Sequence, residues 1–304
     1  TEMVLTCDRT LLTILAAQKQ SVGIGLDKNT TLVLSGRKIR VAGAGRATFV
    51  LKGNEREPAR VHSITAANRR SRDPESILLD LTQWRRDAID RTLPPFPAEQ
   101  PREPFVKNGM LIIVGGGGSP PGLMDQFIEL AGGVKNAKLV YVPCSEQDDV
   151  GNQHGIVQGW KRAGVKHATF IHTKDRVQAN SDGDFLKPLR AATGIYFGGG
   201  RQWNFADSYY GTEAHRLMKQ VLARGGVIAG SSAGASIQGR YLARATPIGN
   251  SRIMAFGYER GGLGFLDGVA IDQHFSERRR HPDMTRLVKQ YPQLLGIGID
   301  ESTA

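Results

Sequence analysis

The run Gly226-Val227-Ile228-Ala229-Gly230-Ser231-Ser232-Ala233-Gly234-Ala235 decides the fold. Its apolar start reads as a buried strand, its middle as a tight turn of small residues, and the following ASIQGRYL as the opening of a helix. The turn matches Gly-x-Ser-x-Gly with Ser232 at its centre. Small neighbours let the backbone bend sharply there and present a hydroxyl at the edge of a sheet. Working outward, further apolar runs end in glycine or polar residues: 110–118 (MLIIVGGGG), 137–145 (AKLVYVPCS), 167–173 (HATFIHT), 194–200 (GIYFGGG) and 294–300 (LLGIGID). Such runs have the form of strands buried on both faces. Segments 123–132 and 213–226 between them carry helical spacing. Strand alternating with helix predicts an α/β domain with a mainly parallel sheet flanked by helices, its site at the carboxyl ends of the strands.

The rest of the chain is of a different kind. Residues 54–76 are polar and charged, and 92–105 (TLPPFPAEQPREPF) hold five prolines in fourteen positions, a density that forbids regular structure. Between them 77–91 (ILLDLTQWRRDAIDR) has the pattern of one short amphipathic helix. The expected organisation is therefore a tail-like segment at 1–53, a proline-rich linker with one docked helix at 54–107, and a catalytic domain at 108–304.

With 304 residues and 40% hydrophobic composition the chain can bury a sizeable core, so disorder is excluded as its main state. No apolar run is long enough for a membrane span. The opening TEMVLTCDRT lacks the order of a signal peptide and begins with Thr1, which reads as a piece of something longer and leaves localisation unknown. The net charge is +11, and residues 1–107 hold an excess of 6, in clusters such as Arg69, Arg70 and Arg72, then Arg85 and Arg86. A solvated basic face explains such clusters without nucleic acid. Cys7 and Cys144 are the only two cysteines and form no CxxC, so neither a disulfide framework nor a zinc site is indicated.

A serine hydroxyl needs a base within hydrogen-bond reach and a third group to orient that base. Among seven histidines, His274 follows the apolar run GVAI and falls at a strand end, whereas His167 and His172 flank a strand, His215 lies on a helix and His62 in the linker. Asp300 and Glu301 both follow the last apolar run, and spacing alone leaves both as candidates for the orienting acid. The helix behind Ser232 favours developing negative charge, with the Ala233 amide as oxyanion donor. Gly199, in Phe197-Gly198-Gly199-Gly200-Arg201-Gln202, is the expected second donor. The run Gly115-Gly116-Gly117-Gly118 satisfies neither nucleotide-loop pattern.

The motifs GSSAGAS (230–236), FGGGRQ (197–202), DQHFSERRR (272–280) and GIGIDESTA (296–304), in that order, resemble the cyanophycinase family of serine peptidases (peptidase family S51), which includes aspartyl dipeptidases. The resemblance covers about residues 108–304. It implies a class I glutamine amidotransferase-like, flavodoxin-like sandwich, with Ser232 as nucleophile, His274 as base and Glu301 completing the site. It implies no metal or organic cofactor. Substrate contacts are expected from the motif residues Gln202, Asp272 and Gln273 and from Arg278 and Arg280, which suit substrate carboxylates. The substrate class implied is an aspartyl or isoaspartyl peptide, or a cyanophycin-like polyaspartate bearing arginine, and a homodimer is compatible with it. Members that cut cyanophycin commonly show GGDQ where this chain has Gly199-Gly200-Arg201-Gln202, and an arginine there repels a guanidinium. Arg286 also falls about three residues late. The reading from another class is a non-catalytic peptide- or polyanion-binding module on the same fold.

Finally, Gly296–Ala304 echoes Gly23–Thr31, with Lys28 in the place of Glu301. This pattern suggests that 1–53 is the tail of an upstream related repeat, silent in catalysis, with the last domain cut short, and that 32–51 forms an antiparallel pair of strands.

Overall fold

The computed structural model describes residues 11–66, 79–152, 154–248 and 251–304. Cys7, Arg69, Arg70 and Arg72 lie outside the described residues. The chain divides into two compact units: Thr1–Pro95 with Thr246–Ser251 and Ala255–Tyr258, and Phe96–Ala245 with Arg252–Met254 and Glu259–Ala304.

In the smaller unit, β1 (Gly23–Leu26), β2 (Thr30–Ser35), β3 (Lys38–Gly43), β4 (Arg46–Leu51), β5 (Arg60–Thr65) and β6 (Leu79–Asp80) form two three-stranded sheets, in the orders β1-β4-β5 and β2-β3-β6. All their pairings are antiparallel. The stretch 32–51 contributes to three strands, because Gly36, at φ +57°, reverses the chain between Ser35 and Lys38. Phe49 and Leu51 of β4 pack with Ile39, Val41 and Trp84 in one core, and Phe256 stands edge-on to Trp84 at 5.8 Å. Trp84 belongs to the helix Leu81–Asp90, whose first turn is capped by the Asp80 carboxylate accepting from the Gln83 amide at 2.8 Å.

Residues 54–107 hold the expected helix together with the two-residue β6 and with β5, at the edge of its sheet. Only Ile64 of that strand is buried, so the alternation that marks a strand is almost absent and its polarity reads as loop.

A helix–strand–turn arrangement occurs twice. A methyl group on Gly23 would meet Leu15 and Leu11 of the helical residues 11–17, and one on Gly296 would meet Met284 and Val288 of the helix His281–Gln290, at the same spacing from the glycine. The turns that follow place Asn29 at φ +59° and Ser302 at φ +54°, again at matching positions.

The larger unit contains the expected parallel sheet, five strands in the order β7-β11-β10-β8-β9: β7 (Met110–Val114), β8 (Lys138–Val142), β9 (His167–Phe170), β10 (Gly194–Phe197) and β11 (Val227–Ser231). All four pairings are parallel. Central β10 is buried along its whole length, as an apolar strand covered on both faces must be. Helices such as Leu123–Leu130, Gly155–Arg162 and Glu213–Ala223 flank the sheet, and Phe127 and Trp160 pack on Tyr196 in one of its cores.

The last apolar run does not join that sheet. It forms β14 (Leu295–Ile299), which lies parallel to β13 (Leu266–Gln273) in a second sheet with β12 (Gly239–Tyr241). Ala235, Val269 and Ile271 bury one another, with Ile113 and Ile299 packed against them, so the helix after Ser232 sits between β7 and the second sheet. The carboxyl ends of β7, β11, β13 and β14 are thereby gathered in one place.

Candidate active site

Ser232 leaves β11 with φ +56° and ψ −112°, a strained conformation for a residue with a Cβ, and is followed at once by the helix Ala233–Ser236. The flanking glycines make this turn possible. A methyl group on Gly230 would lie 2.2 Å from the Gly234 carbonyl oxygen, and one on Gly234 would lie 2.1 Å from that of Phe197. The Ser232 amide donates to the Val114 carbonyl at 3.0 Å, which ties the turn to the end of β7.

His274 also takes a positive φ, +49°, just past the end of β13. Its Nε2 lies 2.9 Å from Ser232 Oγ, and its Nδ1 lies 2.5 Å from Glu301 Oε1. In the tautomer that carries its proton on Nδ1, that nitrogen donates to the carboxylate and Nε2 accepts from the serine hydroxyl. The imidazole is buried, while Glu301 is half-exposed. Of the two acids, Glu301 meets the imidazole, whereas Asp300 accepts from the Ser276 amide at 2.8 Å, and its hydrogen bonds hold its carboxyl below the usual range. Three of the other histidines meet partners elsewhere. His215 Nε2 meets the Leu263 carbonyl oxygen at 2.8 Å and His172 Nε2 that of Gln147 at 2.7 Å, while His62 lies in ring contact with Trp84.

Of the expected oxyanion donors, the Ala233 amide opens a helix and so lacks an intrahelical acceptor. Gly199 lies beside the serine: a methyl group on it would be 3.5 Å from Ser232 Cβ. Cys144 is a free thiol whose Sγ donates to the Arg201 carbonyl oxygen at 3.0 Å. Burial pushes its pKa up to about 12, so it stays protonated and is a poor nucleophile.

The expected substrate contacts fare differently. Gln202 is buried and donates to the Ala243 carbonyl oxygen at 2.6 Å. Asp272 is fully buried, with Arg244 Nε donating to both its carboxylate oxygens at 2.9 and 2.8 Å and Arg280 donating at 3.0 Å. Arg280 also donates to the Gln273 carbonyl oxygen at 2.5 Å, and the Gln273 side chain is itself buried. Asp272 and Arg280 thereby brace the turn that carries His274, and Gln202 is tied to the 243–244 loop. Arg278 alone of the five is exposed. Sequence reasoning missed Arg244, which lies in a loop with no motif, and Asp283, which meets Arg244 at 2.8 Å. It also gave no task to Gly115–Gly118, which the structure places against the His274–Glu301 pair.

Among the described residues no group of three His, Cys, Asp or Glu side chains is arranged for a metal ion, and no helix is long and apolar enough to cross a membrane. Ser232, His274 and Glu301 thus stand in hydrogen-bonded series at the strand ends of two neighbouring parallel sheets, Ser232 after β11 and the other two after β13 and β14. The chain belongs to peptidase family S51, whose family model matches residues 110–304. It is 28% identical over 202 residues to the cyanophycinase of Geminocystis herdmanii (strain PCC 6308), covering 66% of this chain and 74% of that protein. It is 26% identical over 224 residues to the cyanophycinase of Trichormus variabilis (strain ATCC 29413 / PCC 7937), covering 71% and 74%. Among solved structures it is similar to a peptidase from an acI-B1 Actinobacterium, at 24% identity and TM-score 0.44 over 63% of this chain and 80% of that one. A putative peptidase E from Listeria monocytogenes EGD-e is similar at 18% identity and TM-score 0.42, over 62% and 90%.

Proposed function

We propose that this peptidase is of the serine type and cleaves aspartyl or isoaspartyl bonds, with Ser232 as nucleophile, His274 as general base and Glu301 as the group that orients it. The observation that carries this reading is the continuous contact from Ser232 Oγ through the imidazole to the Glu301 carboxylate, at 2.9 and 2.5 Å. In the first step Oγ bonds to the substrate carbonyl carbon while its proton passes to His274 Nε2. The carbonyl oxygen becomes an oxyanion held by the amides of Ala233 and Gly199. Collapse of that intermediate breaks the carbon–nitrogen bond, and His274 returns the proton to the leaving amine. Water then attacks the acyl-enzyme with His274 again as base, releasing the acid and restoring Ser232.

The aspartyl preference rests on the family and on relatives named as cyanophycinases. Exposed Arg278, four residues after His274, is a cation available for a substrate carboxylate. A fluorophosphonate tests the nucleophile directly: the wild-type protein should be labelled on Ser232, and Ser232→Ala should lose the label and all cleavage of β-aspartyl dipeptides. A labelled Ser232→Ala variant would overturn the assignment. Binding of acidic peptides without labelling would favour the binding-module reading. We also propose that the helix–strand–turn over residues 11–31 is a duplicated, catalytically silent copy of 284–304, because Lys28 replaces the orienting carboxylate.

A further inference from the structure

We propose that Gly116 and Gly117 are positioning residues of this site, and that the segment Val114–Gly117 sets the spacing of all three of its side chains; the proposal rests on the Ser-His-Glu reading above. The segment meets each of the three in turn. Val114 accepts from the Ser232 amide at 3.0 Å, Gly115 accepts from the His274 amide at 2.9 Å, and Gly116 accepts from the Ser302 amide, next to Glu301, at 2.8 Å. The Gly115 amide donates to the Thr303 carbonyl at 2.9 Å, closing the far side of the turn. One short stretch at the end of β7 is therefore the common reference for residues that come from the ends of β11, β13 and β14.

The side chains themselves fill the space that the glycines leave. A methyl group on Gly116 would lie 2.4 Å from Cε1 and 2.6 Å from Nε2 of His274, inside van der Waals contact with the edge of the ring that faces Ser232. One on Gly117 would lie 2.3 Å from Oε2 and 2.6 Å from Cδ of Glu301. Neither residue has room for a Cβ unless the imidazole or the carboxylate moves. Both also adopt positive φ, +104° and +67°. Gly122 provides the comparison: its φ is +75°, and a methyl group there meets nothing within 4 Å. Alanine at 122 carries a like backbone penalty with no clash at the site.

Labelling by a fluorophosphonate reads the positioning, since Ser232 Oγ must bond to phosphorus and pass its proton to His274 as fluoride leaves. Gly116→Ala and Gly117→Ala should lower the maximal labelling rate by about 10²-fold, the loss that a displacement near 1 Å produces, with the half-saturating probe concentration little changed. Gly122→Ala should label at the wild-type rate. Wild-type labelling rates for Gly116→Ala and Gly117→Ala, or an equal loss in Gly122→Ala, would overturn the proposal, because space or backbone strain alone would then explain the glycines. Failure of the wild-type protein to label on Ser232 would instead remove the Ser-His-Glu reading beneath it. A check that needs no folded variant is hydrogen exchange in the wild-type protein: the amides of Ser232, His274 and Ser302 should be protected together, and exchange of His274 or Ser302 at open-loop rates would contradict a fixed template.

Discussion

Asp300 and Glu301 follow β14 in succession, and neighbouring side chains at a strand end leave on different sides, so one meets Ser276 and the other meets His274. Replacing Glu301 by glutamine keeps the shape and removes the charge that favours the productive tautomer and the imidazolium. The labelling rate should fall by about 10³- to 10⁴-fold, while Asp300→Asn should cost far less. Arg201 offers a test of selectivity. It is exposed and lies two residues after Gly199, beside Ser232. Exchanging its cation for an anion in Arg201→Asp should raise kcat/KM for β-aspartyl-arginine over β-aspartyl-glutamate, and an unchanged ratio would show that the guanidinium does not face the substrate. The serine and its base were legible because their motifs carry local backbone demands. The acid was not separable from its neighbour, and the burial of Gln202, Asp272 and Arg280 could not be read, because polarity in a motif does not reveal that a side chain is turned inward.

The elements that could be read were the strands buried on both faces, since an unbroken apolar run such as 194–197 has little alternative. β5 could not, because an edge strand with one buried side chain lacks the signal. The helix Glu213–Ala223 carries a testable consequence of its packing. His215 is half-buried and held by the Leu263 carbonyl, and burial, helped by Lys219 and Arg240, lowers its pKa from 6.5 to about 4. The unfolded chain therefore binds a proton between those values that the folded chain does not. The resulting stability is fully present above about pH 6.5 and is lost as pH falls toward 4, by at most about 3 kcal/mol. His215→Gln keeps a donor for Leu263 without titrating, so its melting temperature should change less between pH 7 and pH 4 than that of the wild-type protein. Parallel curves would show that other groups control the acid sensitivity.

At the scale of the molecule, three arginines from the first third of the chain are committed to the fold of the smaller unit. Arg37 binds buried Asp80, Arg60 lies 4.1 Å over the Phe256 ring, and Arg91 reaches Asp87, Glu57 and the carbonyls of Lys52 and Pro58. These three cations are therefore not part of a free polyanion surface. The same unit decides what residues 1–53 do. They supply Ile39, Val41, Phe49 and Leu51 to a core that also holds Trp84 and Phe256, from beyond residue 53. At about 1.5–3 kcal/mol for each large apolar side chain, these four contribute about 6–12 kcal/mol, as much as the whole stability of an ordinary domain. A chain starting at residue 54 should therefore expose Trp84 and Phe256 and lose soluble yield, although the glycine-rich turns of the proposed site lie far along the sequence. Phe49→Ala is the milder version and should cost about 3–5 kcal/mol in denaturant unfolding. Unchanged melting and solubility of the shortened chain would show that 1–53 is a separable appendage, as its likeness to the turn at 284–304 first suggests, whereas loss of both makes those residues part of the fold that the rest of the chain requires.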